Sequence, residues 1–200
     1  MSSRLLSMGS ASLLAAGLFL SACGGKSGDA PVGMSNEAVT DGEGNASGAS
    51  EDGAITVLAN AEGIPVGEAR FTQKADGILV EIAANGLAPG EHGAHVHMTG
   101  RCDPPDFKSA GGHWNPAEHQ HGLKNPAGAH MGDLPNLQIG ADGKGELSFT
   151  IPGAKIHDGA NPLLDADGAA MVIHADPDDM MSDPAGNAGG RIACGVIVKG

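Results

Sequence analysis

Residues 77–85 read GILVEIAAN, and Ile78, Val80 and Ile82 recur there at every second position, with Glu81 between the last two. This alternation is typical of a β-strand with one buried face. Six other segments have a similar length and are rich in Val, Ile, Leu and Ala. They are AITVLAN (54–60), VGEARFTQ (66–73), EHGAHVHM (91–98), GELSFTIPG (145–153), AAMVIHA (169–175) and RIACGVIVK (191–199). Turn residues separate them, which predicts an all-β antiparallel sandwich or barrel.

The segment 99–140 has no strand pattern and is too long for a simple connection between strands. Loops of this length are usually functional. This one carries His113, His121 and His130 together with Asp133. We therefore expect it to form part of a functional site.

Composition limits the kind of protein that this chain can be. It has 200 residues with a formal net charge of −13, and it contains 33 glycines, four Phe, one Trp and no Tyr. The core must therefore consist mainly of Val, Ile, Leu, Ala and Met. The excess of acidic residues argues against binding to nucleic acid, which requires neutralisation of phosphates.

The N-terminus reads as an export signal over residues 1–22. Arg4 supplies a positive charge, and the apolar stretch 11–20 is too short to span a bilayer comfortably. The sequence LSAC at 20–23 resembles the lipobox of bacterial lipoproteins, in which the Cys, here Cys23, is lipidated and becomes the mature N-terminus. The resemblance implies a protein anchored in the bacterial cell envelope, with Gly24 favouring the outer membrane and a site facing the periplasm. An ordinary signal peptide with an incidental Cys is the alternative.

Residues 23–52 contain Gly, Ser, Ala, Asn and acidic residues with few bulky apolar side chains. Such a composition predicts a flexible tether between the lipidated Cys23 and a folded domain over residues 53–200. Cleavage before Cys23 removes one of the 11 basic residues and none of the 24 acidic ones, which leaves a net charge of 10 − 24 = −14.

Histidines are the most informative residues of the folded part. His95 and His97 are two residues apart, so on a strand both point to one face, whereas His92 does not share that face. His113, His121, His130 and Asp133 supply three imidazoles and one carboxylate, which suit a closed tetrahedral zinc site. His174 lies at the end of a predicted strand and can complete the His95 and His97 site, where nitrogen-only ligation suits copper. His119 and His157 are expected to be ordinary surface residues.

Export also makes a disulfide between Cys102 and Cys194 an expectation, with two buried free thiols as the alternative. The bond would close a loop of about 90 residues and stabilise the fold by about 4–5 kcal/mol in the chain-entropy model.

Five motifs together resemble the copper/zinc superoxide dismutase family, above all its exported bacterial branch. They are GEHGAHVH (90–97), SAGGHWNP (109–116), HGLKNPAGAHMGDLPNL (121–137), KIHDGAN (155–161) and GNAGGRIACGVI (186–197). The resemblance covers about residues 54–200 with the motifs in the family order. It implies an eight-stranded antiparallel Greek-key β-barrel with a long metal-binding loop.

The resemblance also implies a set of site residues, with one copper and one zinc per subunit. The copper ligands implied are His95, His97, His113 and His174. The zinc ligands implied are His113, His121, His130 and Asp133, so that His113 bridges the two metals. Other implied roles are anion binding by Arg191, a carboxylate link between the two sites by Asp178 (Asp179 is the alternative), a structural hydrogen bond by His92, and the disulfide Cys102–Cys194.

The reaction implied is the dismutation of superoxide to molecular oxygen and hydrogen peroxide by alternation of Cu(II) and Cu(I), with zinc in a structural role. The source of positive charge that would guide the anion is not evident in the loop 175–190, because this loop is short and acidic and contains no Lys. Arg191, Lys108 and Lys124 are the candidates for local positive potential. The resemblance leaves both a monomer and a homodimer open.

Two alternative functions remain at the sequence level, a metal-buffering module without catalysis and a structural domain that uses only zinc. The complete set of copper-type histidines argues against both. Two departures from the family pattern are Ala94, where a large aromatic residue is common, and Trp114, where Phe is usual. We expect the volume of Trp114 to compensate for that of Ala94.

Overall fold

The computed structural model describes residues 53–160 and 162–200. The segments 1–22 and 23–52, with Cys23, lie outside the described residues. The described residues form nine strands and one short 3-10 helix, Lys108–Ala110. The strands are β1 (Gly53–Ala59), β2 (Pro65–Gln73), β3 (Gly77–Asn85), β4 (Gly90–His92), β5 (Ala94–His97), β6 (Leu137–Ile139), β7 (Lys144–Pro152), β8 (Ala169–His174) and β9 (Arg191–Lys199).

Seven strands form one antiparallel sheet in the order β5-β8-β9-β1-β2-β3-β7, and β4 pairs with β6. β4 and β5 are consecutive and are separated only at Gly93, whose N–H donates to Asp176 O and whose carbonyl accepts from His174 N. The stretch 90–97 therefore connects both sheets, and counting it once gives eight strands. The predicted all-β antiparallel Greek-key fold is confirmed.

All seven segments with a strand pattern lie in strands. The sequence missed β6, because three residues are too few to show a period. β6 nevertheless matters for the site, since it lies near the end of the segment 99–140 and pairs with β4.

The core consists largely of aliphatic side chains, as the composition predicts. On β3, Val80, Ile82 and Ala84 are buried while Glu81 is exposed. Full burial of one such aliphatic side chain stabilises the folded state by about 1.5–3 kcal/mol. Ala94 and Trp114 both belong to this core cluster. Their common location fits the expected compensation in volume, which stays a prediction.

The alternation on β5 places its histidines away from the core. Ala94 and Val96 belong to the core cluster, so His95 and His97 lie on the opposite face. The second backbone edge of β5 pairs with the long loop. Val96 N donates to Gly132 O over 2.9 Å, and Trp114 N donates to Val96 O over 2.8 Å.

These loop contacts set the register of the site. Bridges pair His95 with Asp133 and His97 with His113. The close approach requires a glycine at position 132, where an added Cβ would lie 2.2 Å from Val96 O. The backbone pairing alone therefore brings histidines of the strand beside ligand-type residues of the loop.

Cys102 and Cys194 form a disulfide with a Cα–Cα distance of 5.7 Å, so the expected bond is confirmed. It joins the loop after β5 to β9. Phe107 and Ala110 pack near it in a small buried cluster with Ala170 and Val172 of β8. The start of the long loop is thus fixed to the sheet by a covalent bond and by apolar packing.

No helix in residues 53–160 and 162–200 has the length and apolar character needed to cross a bilayer.

Removing the disulfide should destabilise the fold. The bonded residues are 92 positions apart in sequence, and a cross-link over such a loop stabilises the native state by roughly 4 kcal/mol. We expect the Cys102→Ser/Cys194→Ser variant to lose about that much free energy of unfolding. Urea denaturation of both proteins in metal-free form measures the difference, and an unchanged midpoint would contradict the prediction.

Candidate metal centre

Two strands and the long loop supply the histidines of the centre. His95 and His97 lie on β5, and His174 ends the neighbouring strand β8. The pairing of β8 with β9 shifts register between Ile173 and His174. Such irregularities re-aim side chains. His113 comes from the loop and is paired with β5 at His97.

Four buried imidazole nitrogens converge in the first group of donors. They belong to His95 (Nδ1), His97 (Nε2), His113 (Nε2) and His174 (Nε2), and each lacks a hydrogen-bond partner among the described residues. The donor atoms of these four residues all lie within 4.8 Å of one another. Leaving a buried polar group unpaired costs about 1–3 kcal/mol each. A metal ion would satisfy all four nitrogens, and a set of donors that are all nitrogen fits copper. We call these four histidines the copper-type group.

The second ring nitrogen of each strand histidine has a partner that orients the ring. His97 Nδ1 donates to Gly111 O over 3.0 Å, and His174 Nδ1 donates to Gly189 O over 3.3 Å. His95 Nε2 donates to Asp178 Oδ2 over 2.8 Å. Such contacts fix the tautomer, so that the nitrogen facing the group is the one with a lone pair.

Burial keeps these three rings neutral. Desolvation lowers the pKa of His95 to about 4, although the hydrogen bond that its Nε2 donates to Asp178 acts to raise it. Burial likewise lowers the pKa of His97 to about 2 and that of His174 to about 3. At neutral pH the three imidazoles are unprotonated and can act as ligands.

The second group of donors surrounds the carboxylate of Asp133. Its Oδ1 lies 2.9 Å from His113 Nδ1, 3.1 Å from His121 Nδ1 and 3.3 Å from His130 Nδ1. Tetrahedral zinc with bonds of about 2.0–2.1 Å separates its ligand atoms by about 3.3 Å. The four donors therefore fit zinc, and they leave no open position for substrate.

Charge at this second group also requires a cation. Burial alone raises the pKa of Asp133, but the hydrogen bond from His113 and the adjacent His121 ring hold it well below its usual range. The pKa of Asp178 is lowered in the same way by His121 and His95. Burial lowers the pKa of His121, yet both carboxylates outweigh this and raise it to about 9. Without a metal, a protonated His121 supplies part of the positive charge that the two buried carboxylates need, and zinc bound in place of that proton would supply it in full.

His113 belongs to both groups. Its Nε2 faces the copper-type group and its Nδ1 lies within 3.4 Å of His130 Nδ1 and 2.9 Å of Asp133 Oδ1. The His113 side chain is only 2% exposed. One imidazole ring thus separates the two candidate metal positions.

Asp178 forms the second link between the groups. Its Oδ2 accepts from His95 and its Oδ1 accepts from His121 over 2.9 Å. Asp179, the alternative, is exposed and accepts from the backbone of Met181 and Ser182. Of the two acids, the structure places Asp178 between the groups.

Sequence reasoning missed the residues that hold this link. The Asn136 side chain forms two hydrogen bonds with the backbone of Asp178. Its Nδ2 donates to Asp178 O, and its Oδ1 accepts from Asp178 N. Asp183 accepts from His121 N. Gly186 leaves room for Asp178, because an added Cβ would lie 1.7 Å from Asp178 Oδ1. These contacts depend on how two loops meet, which no local spacing encodes.

Arg191 borders a cavity of about 300 Å³ over the copper-type group. Its guanidinium donates to Phe107 O over 2.7 Å and to Gly111 O over 2.6 Å. Among the described residues, Arg191 is the only Lys or Arg in the lining. We call this cavity the Arg191 cleft. Lys124 does not line it, and Lys108 is paired with Asp106.

The remaining histidines lie outside both donor groups. His92 is buried, with Nδ1 2.8 Å from His174 O and Nε2 2.9 Å from Ala88 O, so it contacts the backbone of the β8 histidine. His119 is exposed, as expected. His157 is half-buried, and its Nε2 is covered without a partner in the described part of the chain.

Comparison with known proteins agrees with this geometry. Residues 65–197 match the family model described as copper/zinc superoxide dismutase. The chain belongs to the copper/zinc superoxide dismutase family. The match spans β2 to β9 and includes every histidine of both donor groups.

Individual relatives lead to the same family. Superoxide dismutase [Cu-Zn] 1 of Aquifex aeolicus is 46% identical over 142 residues, which cover 70% of this chain and 84% of that protein. The crystal structure of a superoxide dismutase-like protein from Bacillus subtilis has a TM-score of 0.69 at 42% identity, covering 72% of this chain and 97% of that chain. The copper/zinc superoxide dismutase from Brucella abortus has a TM-score of 0.59 at 28% identity, covering 72% and 99%.

Metal content should separate the two donor groups. We expect the His97→Ala variant to lose copper and retain zinc, and the His130→Ala variant to weaken zinc and retain copper. Because His113 has a nitrogen in each group, His113→Ala should weaken both. Elemental analysis after loading with one equivalent of each metal and dialysis tests this. Loss of one metal alone from the His113→Ala protein would contradict the shared position.

Proposed function

We propose that the chain dismutates superoxide at a copper centre held by His95, His97, His113 and His174, beside a zinc held by His113, His121, His130 and Asp133. The observation that carries this assignment is the placement of His113, with one nitrogen in each donor group. Copper/zinc superoxide dismutases contain both metals. Of the two donor groups, the one with four nitrogens fits copper and the one that includes the Asp133 carboxylate fits zinc.

Copper supplies the redox chemistry when bound, because it alternates between Cu(II) and Cu(I), while zinc is redox-inert. The protein supplies binding and protons. The Arg191 guanidinium is always charged, and its two backbone hydrogen bonds aim it into the cleft. His113 Nε2 is buried at the base of the same cleft, and while it is not bound to copper it could hold a proton and pass it towards the product.

Arg191 also argues against a metal-buffering role. A storage site gains nothing from a permanent cation beside its ligands, since like charges repel. An anionic substrate does gain from it. The disulfide contributes to this arrangement, because Cys102 precedes the segment whose carbonyls at Phe107 and Gly111 hold Arg191, and Cys194 follows Arg191 by three residues.

Dismutation by the chain loaded with copper and zinc should be fast and should depend on Arg191. We expect Arg191→Gln to reduce kcat/KM by at least about tenfold at low ionic strength, where the local field is strongest. Arg191→Lys retains the charge and should lose less. Pulse radiolysis measures the rates, with metal content checked in each sample. Equal rates for all three proteins would exclude a guiding role for Arg191, and no turnover at full loading would exclude the enzyme.

We also propose a lipid anchor at Cys23 and a place in the bacterial cell envelope, at the outer membrane facing the periplasm. The LSAC sequence at 20–23 and the following Gly24 support this. Superoxide is charged and crosses bilayers poorly, so an enzyme outside the cytoplasm acts on periplasmic or external superoxide.

Lipidation is directly measurable. We expect the chain expressed in a Gram-negative host to incorporate labelled fatty acid and to fractionate with the outer membrane. The Cys23→Ser variant should lose the label. Absence of label from the unchanged chain would contradict the anchor. Label in both proteins would place the lipid elsewhere.

A homodimer is the state that we propose in solution. Ile55 and Val57 on β1 and Val196 and Val198 on β9 are all exposed, and Ile55 lies opposite Val198 in the register. We call these four residues the β1/β9 patch. An apolar patch of adjacent β-branched residues on an exterior face favours an interface. A second copy can cover it about a two-fold axis, since the same patch meets itself.

Sedimentation equilibrium tests the dimer. We expect the unchanged chain to have twice the monomer mass and the Val57→Lys/Val196→Lys variant to be monomeric. Ile64→Lys is the matched control, because Ile64 is also exposed and lies outside the patch. It should remain dimeric. A monomeric mass for the unchanged chain across the concentration range would refute the proposal.

A further inference from the structure

One short turn accepts both hydrogen bonds of the Arg191 guanidinium. Nη1 donates to Phe107 O over 2.7 Å, and Nη2 donates to Gly111 O over 2.6 Å. The 3-10 helix Lys108–Ala110 lies between these two carbonyls. We call residues 107–111 the carbonyl turn. A guanidinium has five N–H donors in a rigid fork, so two fixed acceptors set its orientation and leave other donors for an anion.

The carbonyl of Gly111 also orients a ring of the copper-type group. It accepts from His97 Nδ1 over 3.0 Å as well as from Arg191 Nη2. A carbonyl oxygen has two lone pairs and can accept both bonds. The guanidinium and the His97 ring are therefore positioned from one backbone atom, and a displacement of the carbonyl turn changes their relative position.

The backbone at the start of the carbonyl turn has an unfavourable conformation. Phe107 has φ 52° and ψ 22°, which lies in the left-handed region. A bulky residue rarely adopts this conformation, and it persists only where the surrounding structure holds it. The same two angles determine where the Phe107 carbonyl points. Whatever holds this conformation therefore also holds one of the two acceptors of Arg191.

The buried side chain of Phe107 supplies that support. The residue is only 3% exposed, although it stands in a long loop. It belongs to the small buried cluster that contains Ala110 of the same turn, Ala170 and Val172 of β8, and Cys194 of β9. Without the ring, the left-handed backbone would lose the apolar contacts that fix it to the sheet.

We propose that Phe107 is a positioning residue for the anion. Its buried ring holds the left-handed backbone, the backbone aims the Phe107 carbonyl at Arg191 Nη1, and the guanidinium is thereby fixed beside the copper-type group. Phe107 does not line the Arg191 cleft, so it acts through Arg191 and not by contact with the anion. The inference rests on the proposed function, because it concerns how the substrate of that site is oriented.

Binding of azide tests this role without turnover. Azide carries one negative charge, as superoxide does, and its charge-transfer absorption with Cu(II) reports the bound fraction in the full chain loaded with copper and zinc. We expect Phe107→Ala to weaken azide binding by about fivefold and Arg191→Gln by about tenfold. Phe107→Leu keeps part of the apolar anchor and should weaken binding less than Phe107→Ala.

A double-mutant cycle shows whether Phe107 acts through Arg191. If it does, Phe107→Ala should cause no further loss of azide affinity in the Arg191→Gln background, because residues that act as a unit are not additive. Losses that multiply in the double variant would overturn the inference. Unchanged azide affinity in both single Phe107 variants would overturn it as well.

Val172→Ala is the matched control for lost packing. Val172 is buried in the same cluster, but its backbone pairs with Cys194 in the sheet and does not contact Arg191. This variant should lower the thermal transition, as Phe107→Ala does, and leave azide affinity unchanged. An equal loss of azide affinity in both variants would assign the effect to packing and overturn the inference. Unchanged copper and zinc content shows that each variant retains the metal centre.

Dismutation is measured separately in the same samples by pulse radiolysis. A chain whose azide affinities follow the predicted order but which does not dismutate superoxide would refute the proposed function alone. A chain that dismutates superoxide while every Phe107 variant binds azide as the unchanged chain does would refute the role of Phe107 alone.

Discussion

The site depends on one constraint, which is that a single buried imidazole ring faces two groups of donors. His113 has no freedom to serve one group only, because its backbone pairs with His97 and its ring is enclosed. On one side its own Nε2 faces three further unpaired nitrogens, and on the other side lie a carboxylate and two further imidazoles. Buried polar groups in such numbers destabilise the fold unless cations or other partners complete them.

The scaffold achieves this through backbone pairing more than through side-chain contacts. β5 uses one edge for β8 and the other for the long loop, so strand and loop histidines share one register. Gly132 permits the close approach of the loop. The disulfide and the Phe107 cluster then fix the part of the loop that holds Arg191. Metal centre and anion cleft are therefore positioned by the same segment.

The sequence predicted the strands with a clear period, and it predicted the residues that the structure brings together around His113. Periodicity could not find β6, which is three residues long. Spacing could not find the partners of the ligand rings either, since Gly111 and Gly189 act through backbone carbonyls that any residue possesses. Asn136 and Asp183 were missed because their roles exist only where two distant loops meet.

The net charge of the chain is a poor guide to the electrostatic field at the site. A chain with a net charge of −13 would be expected to repel superoxide, yet the lining of the cleft has Arg191 as its one Lys or Arg among the described residues. At physiological salt, screening limits the reach of exposed charges to about 8 Å. The local arrangement of one guanidinium therefore counts for more than the sum over the chain.

The central claim is that His113 joins two different metals, and anomalous X-ray diffraction at the copper and zinc absorption edges tests it most directly. The account predicts a copper peak among His95, His97, His113 and His174, and a zinc peak among His113, His121, His130 and Asp133. In the oxidised protein, the copper should lie within bonding distance of His113 Nε2 and the zinc within bonding distance of His113 Nδ1. A single metal position, or two occupied positions without contact to a common His113 ring, would contradict it.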